Sequence, residues 1–328
     1  MVFTVYFCFP SVFVNLEDGL DKMGIPVLLH LGVVLVLSPL LLGIIGKTKA
    51  CLTGRIGAPL LQPYYDIGKL FRKGNVYSTT TTWIFQAAPI VCLAAVLVSS
   101  LLMPLGGLKA PIVFWGDILL FAGLYGLARF AMVLAALDTG SSFEGMGASR
   151  EATFSCLTEV VLFLDFIILS CVSKKIVLSE MVQGNALTSW HLAGPALILM
   201  GVSYFLVLLA ENARIPVDDP ATHLELTMVH EVMVLDHSGW DLAYILYGSA
   251  IKLFVLGSLL VNILIPSYHL SPFMQTMMFS GGMFVLSFGI GVVESCMARL
   301  RLNRIPQLLI GAFVLALVGV LVVLLKGA

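Results

Sequence analysis

The sequence predicts an all-α, polytopic membrane protein with about eight transmembrane helices and long cytoplasmic loops. Hydrophobic residues make up 59% of the 328 residues and charged residues only 11%, whereas soluble domains carry roughly 25% charged residues. Apolar runs of about twenty residues, the length that crosses a hydrocarbon core of about 30 Å, recur along the chain. A soluble globule needs more charge on its surface and a disordered chain is less apolar, so both classes are excluded.

Eight apolar runs define the predicted spans, and they lie near 25–45, 84–103, 117–137, 153–172, 193–210, 242–265, 274–293 and 307–325. Each is expected to be a helix, because an open strand edge in lipid would leave backbone groups unpaired. We interpret 25–328 as a single transmembrane domain. Residues 1–24 form an N-terminal extension without the basic start of a signal peptide. It is interpreted as a segment that lies at the membrane interface, or as the result of a start codon assigned too early, with Met23 as the true first residue.

Basic residues predict the orientation of the spans, since Lys and Arg are retained on the cytoplasmic side. The loops after the first, third, fifth and seventh spans contain eleven Lys and Arg residues, and the opposite loops with both termini contain five. These four loops are therefore predicted to be cytoplasmic, in a multi-pass protein of the cell inner membrane with both termini outside. The net charge of −1 and the scattered basic residues argue against nucleic-acid binding.

Four ionisable residues stand out inside the predicted spans: Arg129, Glu159, Asp165 and Lys252. Each costs about 2.5–3.5 kcal/mol at the centre of a membrane helix, so each needs a partner, a wet cavity or a function. At 1.5 Å per residue they lie at staggered depths of about 9 to 18 Å from the cytoplasmic ends of their spans. This staggering favours an ion pathway through Glu159, Asp165 and Lys252. The alternative is that Arg129 and Lys252 only neutralise the acids as buried pairs.

The loop 211–241 is the richest cytoplasmic segment, with seven acidic residues and three histidines. Pro216 and Pro220 predict a turn-rich stretch near its start, which includes Glu211, Arg214, Asp218 and Asp219. Residues 221–234 are predicted to be helical. A zinc site is disfavoured because the His-Glu pair at 230–231 lacks the second histidine of the His-Glu-x-x-His motif. No metal and no catalytic residue is expected in this chain. The loop carboxylates are instead predicted to form an acidic entrance to the ion pathway: Glu211, Asp218, Glu225, Glu231 and Asp236.

Two further cytoplasmic segments combine acidic and basic residues. Residues 54–74 place aromatic side chains beside basic ones, as in an amphipathic helix that lies on a lipid surface. Residues 137–152 are predicted to be a loop rich in glycine and serine. The six cysteines include no Cys-x-x-Cys pair, so this chain is not expected to hold an iron-sulfur or zinc cluster.

Four separated stretches, all in or beside predicted cytoplasmic loops, carry a family resemblance. The first contains Arg55, Gly57, Gln62, Pro63, Asp66 and Lys69; the second is GASREA at 147–152, followed by Glu159; the third contains Glu211, Asn212, Arg214, Pro216, Asp218, Glu225 and Leu226; the fourth is Glu294 with ARLRL at 298–302, ahead of Arg304 and Pro306. In this order the set resembles the subunit 1 family of respiratory complex I and its relatives in the membrane-bound, energy-converting nickel-iron hydrogenases, including the formate hydrogenlyase type.

Departures from the quinone-reducing complex make the hydrogenase branch the better match. Ala221 and His223 stand where complex I has carboxylates, and residues 236–239 read Asp-His-Ser-Gly where it has Glu-Tyr-Ser-Gly. The resemblance therefore implies a membrane anchor and proton- or sodium-translocating subunit of an energy-converting nickel-iron hydrogenase, with quinone binding disfavoured. It implies no cofactor in this chain, because the nickel-iron site and the iron-sulfur clusters belong to partner subunits.

The resemblance also implies partners. The hydrogenase large and small subunits and an iron-sulfur subunit are expected on the cytoplasmic side, with antiporter-like membrane subunits and lipid around the spans. Two other functions stay open: a quinone-binding subunit 1 of a complex I-like NADH dehydrogenase, and a freestanding secondary transporter, whose typical inverted repeats are not visible in the sequence. The residues expected to hold loop structure or to dock the partner arm are Arg55, Asp66, Lys69, Asp138, Glu144, Arg150, Glu151, Arg214 and Arg299.

Overall fold

Ten α-helices account for most of the structure, a computed structural model that describes residues 16–183, 186–218, 228–265 and 270–326. The helices are α1 (Leu16–Leu52), α2 (Gln62–Leu70), α3 (Trp83–Leu101), α4 (Asp117–Asp138), α5 (Ser142–Ser173), α6 (Leu178–Gln183), α7 (Ala186–Glu211), α8 (Gly239–Leu264), α9 (Pro272–Cys296) and α10 (Ile305–Lys326). Two short 3₁₀ helices, Glu231–Val234 and Leu302–Arg304, lie in the loops.

Eight of the described helices are long and apolar enough to cross a membrane, which confirms the predicted fold class and the predicted number of spans. They are α1, α3, α4, α5, α7, α8, α9 and α10. The short helix α2 falls within the segment predicted to be amphipathic, and it packs against α1 and α8. The predicted extension at 1–24 lies mostly outside the described residues, although α1 already begins at Leu16.

The prediction of a loop over 137–152 was wrong, because α5 begins at Ser142 and continues through the GASREA stretch. Gly140 has a φ of 71° and follows the preceding helix, since glycine adopts this left-handed conformation at little cost. Gly147 has a different use: a Cβ there would overlap Val232, so the missing side chain lets α5 approach the loop closely. Glu144 in the first turn favours helix because its charge complements the positive helix end.

Two predictions for the loop 211–241 also need correction. Glu211 was expected in a turn-rich stretch, but α7 continues to Glu211 and the turns begin at Asn212. Pro216 disfavours helix mainly at the residue before it, and Glu211 is far enough upstream to stay helical. In the described part of the predicted helix 221–234, residues 228–230 are not helical and Glu231–Val234 forms a 3₁₀ helix.

Helix α8 lies at the centre of the bundle. Most of its side chains are buried, and it packs against α1, α3, α7 and α9. Helices α3 and α4 pair with each other, and α5, α7 and α10 pack together. The outer faces of the other spans carry exposed large apolar side chains such as Leu119 and Val285. These faces suit contact with lipid tails or with apolar partner helices.

The four loops that were predicted to be cytoplasmic meet at one end of the bundle. Lys49 at the end of α1 contacts Glu294 at the end of α9. Thr82 before α3 contacts Asp138 at the end of α4, and Val76 donates to Ser238 before α8. The alternation of the spans therefore matches the predicted topology. The side of the membrane on which this end lies stays a prediction.

Candidate functional site

Glu211 is the centre of a buried ion-pair network between helices. Its side chain is 10% exposed. Lys252 on α8 donates to Glu211 Oε2 at 2.8 Å, and Arg129 on α4 reaches both carboxylate oxygens with Nη2, at 2.8 and 2.9 Å. Thr158 on α5 also donates to Glu211. The end of α7 is thereby tied to three other membrane helices through one carboxylate.

Arg129 extends this network to two carboxylates of α5. Its Nη1 contacts Glu159, and its Nε lies 3.8 Å from Glu151 Oε1. We call these five residues, Arg129, Glu151, Glu159, Glu211 and Lys252, the central network. A guanidinium presents several donors in a rigid fork, which allows one arginine to serve three acids. With all groups ionised, three carboxylates face two cations, so the network carries one excess negative charge.

Three cavities adjoin the central network. A cavity of about 240 Å³ has Arg129, Glu159 and Glu211 in its wall. A second, of about 60 Å³, is lined by Arg129, Glu151, Glu211 and Lys252. A third, of about 20 Å³, joins Glu211 to Asp218 of the loop. Each exceeds the roughly 15 Å³ that one water molecule needs, and each has polar groups in its wall. The network can therefore be hydrated.

Asp165 does not join the central network through an ion pair among the described residues. It is buried on α5 and accepts a hydrogen bond from Ser203 of α7 at 3.3 Å. The six-residue spacing predicts that Asp165 and Glu159 face different directions, and the structure agrees, because Glu159 points to Arg129 on α4. Of the three residues predicted for the inner pathway, the structure brings Glu159 and Lys252 together through Arg129 and Glu211.

A second group of contacts fixes the loop 228–230 near the network. Asp218 pairs with Arg299 at 2.9 Å and accepts backbone hydrogen bonds from Val229 and His230 at 3.0 and 3.2 Å. Arg150 on α5 donates to the carbonyl of Met228 at 2.7 Å. We call Arg150, Asp218 and Arg299 the loop clamp. The clamp is consistent with the prediction that Arg150 and Arg299 hold loop structure.

Glu294 is a further buried acid at this end of the bundle. Its side chain is fully buried, and it pairs with Lys49 at 2.9 Å and with Arg214 at 3.5 Å. Three elements meet in this contact: the end of α1, the turn after α7 and the end of α9. Arg214 therefore has a partner that the sequence did not indicate.

The remaining predicted residues lie at helix ends, in the short helix α2 and in the loops between the spans. Glu144 accepts from the backbone of Asp236 at 3.2 Å, Asp138 accepts from Thr82, and Asp66 accepts from Gln62 at 2.8 Å. Glu231 lies in the 3₁₀ helix. Glu225 lies outside the described residues. The side chains of Arg55, Lys69 and Asp236 are exposed, so they are open to a partner or to lipid headgroups.

His237 is buried in the loop before α8 and stacks on Phe85. The ring centroids are 3.9 Å apart and the planes differ by 5°. Burial lowers the pKa of His237 to about 4, since the charged imidazolium loses its hydration. In the stretches that the structure describes, no three His, Cys, Asp or Glu side chains group as metal ligands do.

A protein-family model described as NADH dehydrogenase matches residues 25–325. The chain belongs to this family. Hydrogenase-4 component C of Escherichia coli is 32% identical over 239 residues, covering 71% of this chain and 73% of that protein. Formate hydrogenlyase subunit 4 of Escherichia coli is 28% identical over 289 residues, covering 84% and 91%. These relatives are consistent with the hydrogenase branch of the predicted subunit 1 resemblance.

The fold also matches a solved structure of a membrane complex. A chain of the membrane-bound sulfane sulfur reductase, an archaeal respiratory membrane complex, superposes with a TM-score of 0.80 at 21% identity. The match covers 92% of this chain and 99% of the other. Members of the family are thus membrane subunits of complex I-like oxidoreductases and hydrogenases, which confirms the coarse class that the sequence predicts.

Sequence reasoning missed two neighbours of the central network in this family member. Tyr125 lies one helical turn before Arg129, and Lys252 Nζ lies 5.8 Å from the centre of its ring. The four-residue spacing puts Tyr125 and Arg129 on one helix face, and this spacing could have identified Tyr125 from the sequence. Thr158 gave no such signal, because hydroxyls in apolar helices commonly bond their own backbone, as Thr158 also does.

Proposed function

We propose that this chain is the membrane anchor and ion-translocating subunit of a complex I-like, energy-converting nickel-iron hydrogenase. It couples a cytoplasmic redox arm to the membrane arm. The names of two relatives, hydrogenase-4 component C and formate hydrogenlyase subunit 4, support the hydrogenase assignment. The partners are the hydrogenase large and small subunits, an iron-sulfur subunit and antiporter-like membrane subunits, and the nickel-iron site and clusters lie in those partners.

The central network is the observation that carries the proposal. Burying one ion pair for packing requires two charges, but here five ionisable residues converge and three cavities adjoin them. Charged residues at membrane depth are costly and mark ion or proton pathways. Glu211 pairs with both Arg129 and Lys252. A change in the charge of any one member of the network therefore alters the electrostatic interactions of the other members.

The loop clamp supplies the coupling in this proposal. Asp218 fixes the loop 228–230, and it lines the same small cavity as Glu211. The partner arm docks on the exposed loops at this end of the bundle. A redox-driven movement of the arm then shifts the loop, and the shift changes the hydration and pairing of Glu211.

Glu211→Gln and Glu159→Gln test the proposal in the assembled complex. Inside-out vesicles are energised through the hydrogenase reaction, and proton and sodium uptake are measured beside hydrogenase activity with an artificial viologen. We expect uptake to fall at least tenfold while viologen activity and subunit composition stay unchanged, because neutral glutamine cannot exchange charge. Glu180→Gln is the matched control, since it removes an exposed ion pair with Lys175 at 3.2 Å. Full uptake in both variants would contradict ion translocation through this network.

Quinone binding is the second candidate function. The observation favouring it is a relative from Rubrobacter xylanophilus that is named as a subunit of NADH-quinone oxidoreductase, which is 29% identical over 169 residues and covers 51% of each chain. A photoreactive quinone analogue that labels the loop 211–241 in active complex supports this function. Absence of labelling in complex that retains hydrogenase activity counts against it. Purification as a functional monomer would instead favour the freestanding transporter.

A further inference from the structure

His230 belongs to the loop before α8, yet it lines a cavity of the central network. The cavity of about 60 Å³ has His230 in its wall together with Glu151, Glu211, Arg129 and Lys252. The residue is half-buried, so part of it is reachable from the end of the bundle where the loops meet. His230 therefore connects the surface of the loop with the interior of the network.

The loop clamp determines where His230 enters the cavity wall. Asp218 accepts hydrogen bonds from the backbone amides of Val229 and His230 at 3.0 and 3.2 Å, and Arg150 donates to the carbonyl of Met228 at 2.7 Å. These contacts hold the backbone of the loop and do not engage the imidazole ring. The ring is thereby positioned at the cavity while its nitrogen atoms remain available for proton exchange.

The chemistry of the cavity wall suits proton transfer from an imidazole. The two ring nitrogens can accept one proton and donate another, which makes histidine a common proton shuttle. A cavity of this size holds water, and one bridging water is enough for transfer between a donor and an acceptor. The other titratable side chains in the wall are Cys92, Arg129, Glu151, Glu211 and Lys252.

Glu151 is the best first acceptor among these side chains. Glu211 is paired with Lys252 and with Arg129 at 2.8 Å, whereas Glu151 lies 3.8 Å from Arg129 Nε, the longest ion-pair distance in the central network. Arginine does not give up its proton in proteins, so Arg129 stays a fixed cation. Because the network has one excess negative charge when all its groups are ionised, it can take up one proton and become neutral.

We propose that protons enter the central network through His230. The imidazolium gives one proton through water in the cavity to Glu151, and the neutral ring then takes one proton from the loop surface. Each cycle leaves the ring unchanged and adds one proton to the network. Sodium does not follow this step, because hard cations bind oxygen ligands in preference to imidazole nitrogen. The inference rests on the proposed function, for which it names the proton as the ion and His230 as its donor.

Chemical rescue in the assembled complex tests the inference. His230→Ala is studied in inside-out vesicles that are energised by the hydrogenase reaction in sodium-free medium. Charge uptake is measured with a potential-sensitive dye, because a permeant base such as 4-methylimidazole dissipates a pH gradient but not a potential. We expect uptake to fall at least tenfold, since a positioned proton donor contributes about 10²–10⁴-fold to a proton-transfer rate. Added 4-methylimidazole should restore at least about a third of the parent rate, with viologen activity unchanged throughout.

Two variants provide the controls. His237→Phe removes a histidine of the same loop whose ring stacks on Phe85 and does not line the cavity, so it should keep the parent rate with no response to 4-methylimidazole. His230→Gln retains a polar side chain but cannot relay protons, so its uptake should fall as in His230→Ala. Hydrogen–deuterium exchange of the Val229 amide should stay at the parent rate in both His230 variants, because Asp218 still accepts from it.

The outcomes separate this inference from the proposed function. Retained uptake in Glu211→Gln and Glu159→Gln contradicts the proposed function, whatever the His230 variants show. Lost uptake in those two variants with more than about half of the parent uptake in His230→Ala overturns only the assignment of His230. Failure of 4-methylimidazole to restore uptake would also overturn it. Accelerated exchange of the Val229 amide in both His230 variants would assign His230 to loop structure and would likewise overturn the proposal.

Discussion

Asp218→Ala is the most direct perturbation of the connection between the loop and the membrane helices. Asp218 is buried, and its partners include the backbone amides of Val229 and His230 and the guanidinium of Arg299. The alanine variant removes the acceptor for all three without adding bulk. The loop 228–230 then loses two of its anchors, while Arg150 still donates to the carbonyl of Met228.

The expected loss is about 3 kcal/mol for the local opening of this loop. A buried hydrogen-bond donor left without its acceptor costs about 1–3 kcal/mol, and breaking a buried ion pair costs about 3–5 kcal/mol. We take a value at the lower end because Arg299 is partly exposed and can gain hydration. At 1.36 kcal/mol per factor of ten, the opening equilibrium changes by roughly 100-fold.

Hydrogen–deuterium exchange of the peptide 228–235 in purified complex measures this change. Exchange of the Val229 and His230 amides should become roughly 100-fold faster, and Asp218→Asn should give a smaller effect because its amide oxygen still accepts. Asp236→Ala is the matched control, since its exposed side chain lies in the same loop. Exchange in Asp218→Ala within about threefold of the parent would refute the clamp.

Three further predictions follow from packing, charge and burial. Gly147→Ala should lower the thermal midpoint of unfolding in detergent, because overpacking against the loop costs about 1–3 kcal/mol. Gly145→Ala in the same helix is the control. Its added Cβ meets no atoms within 4 Å, so it should be neutral or stabilising. Glu294→Gln should destabilise the purified complex by about 3 kcal/mol in denaturant titrations, because it breaks a buried ion pair. Glu180→Gln, which breaks an exposed pair, should cost less than about 1 kcal/mol. His237 is neutral in the fold down to a pKa of about 4 and protonates at 6.5 when unfolded, so stability should fall by about 3 kcal/mol as the pH drops from 6.5 to 4. The stability of His237→Phe should lack this part of the pH dependence. The same dependence of stability on pH in the variant and in the parent would refute the role of His237.

The spans and the buried charges were predictable because both depend on local composition. A run of apolar residues must be helical in lipid, and Glu159 and Lys252 are conspicuous because they interrupt such runs. Their partners were not predictable, since pairing depends on which helix faces which. Glu211 lies 53 residues from Thr158 and 82 from Arg129 along the chain. The network is visible only once α4, α5, α7 and α8 are packed together.

The errors have a shared physical origin, which is that Gly and Pro have more than one structural use. Glycines near 147 predict a loop because glycine is conformationally free. Gly147 instead lies inside α5, where its missing side chain allows close packing against Val232. Pro216 predicts a disrupted helix as far back as Glu211, but its effect reaches only the adjoining turn. Tertiary packing therefore decided the first case, and the short reach of a proline's steric effect decided the second.

The position of Glu211 links the two groups of contacts and makes their roles separable by experiment. Glu211 ends α7, and Asp218 follows after one short turn segment, so movement of the clamp acts on the same stretch of backbone that holds the central network. If Asp218→Ala accelerates exchange in the loop and also lowers ion uptake, the clamp transmits movement to Glu211. If exchange accelerates and uptake stays at the parent level, the clamp is structural, because a loosened loop then leaves the pairing of Glu211 with Arg129 and Lys252 intact.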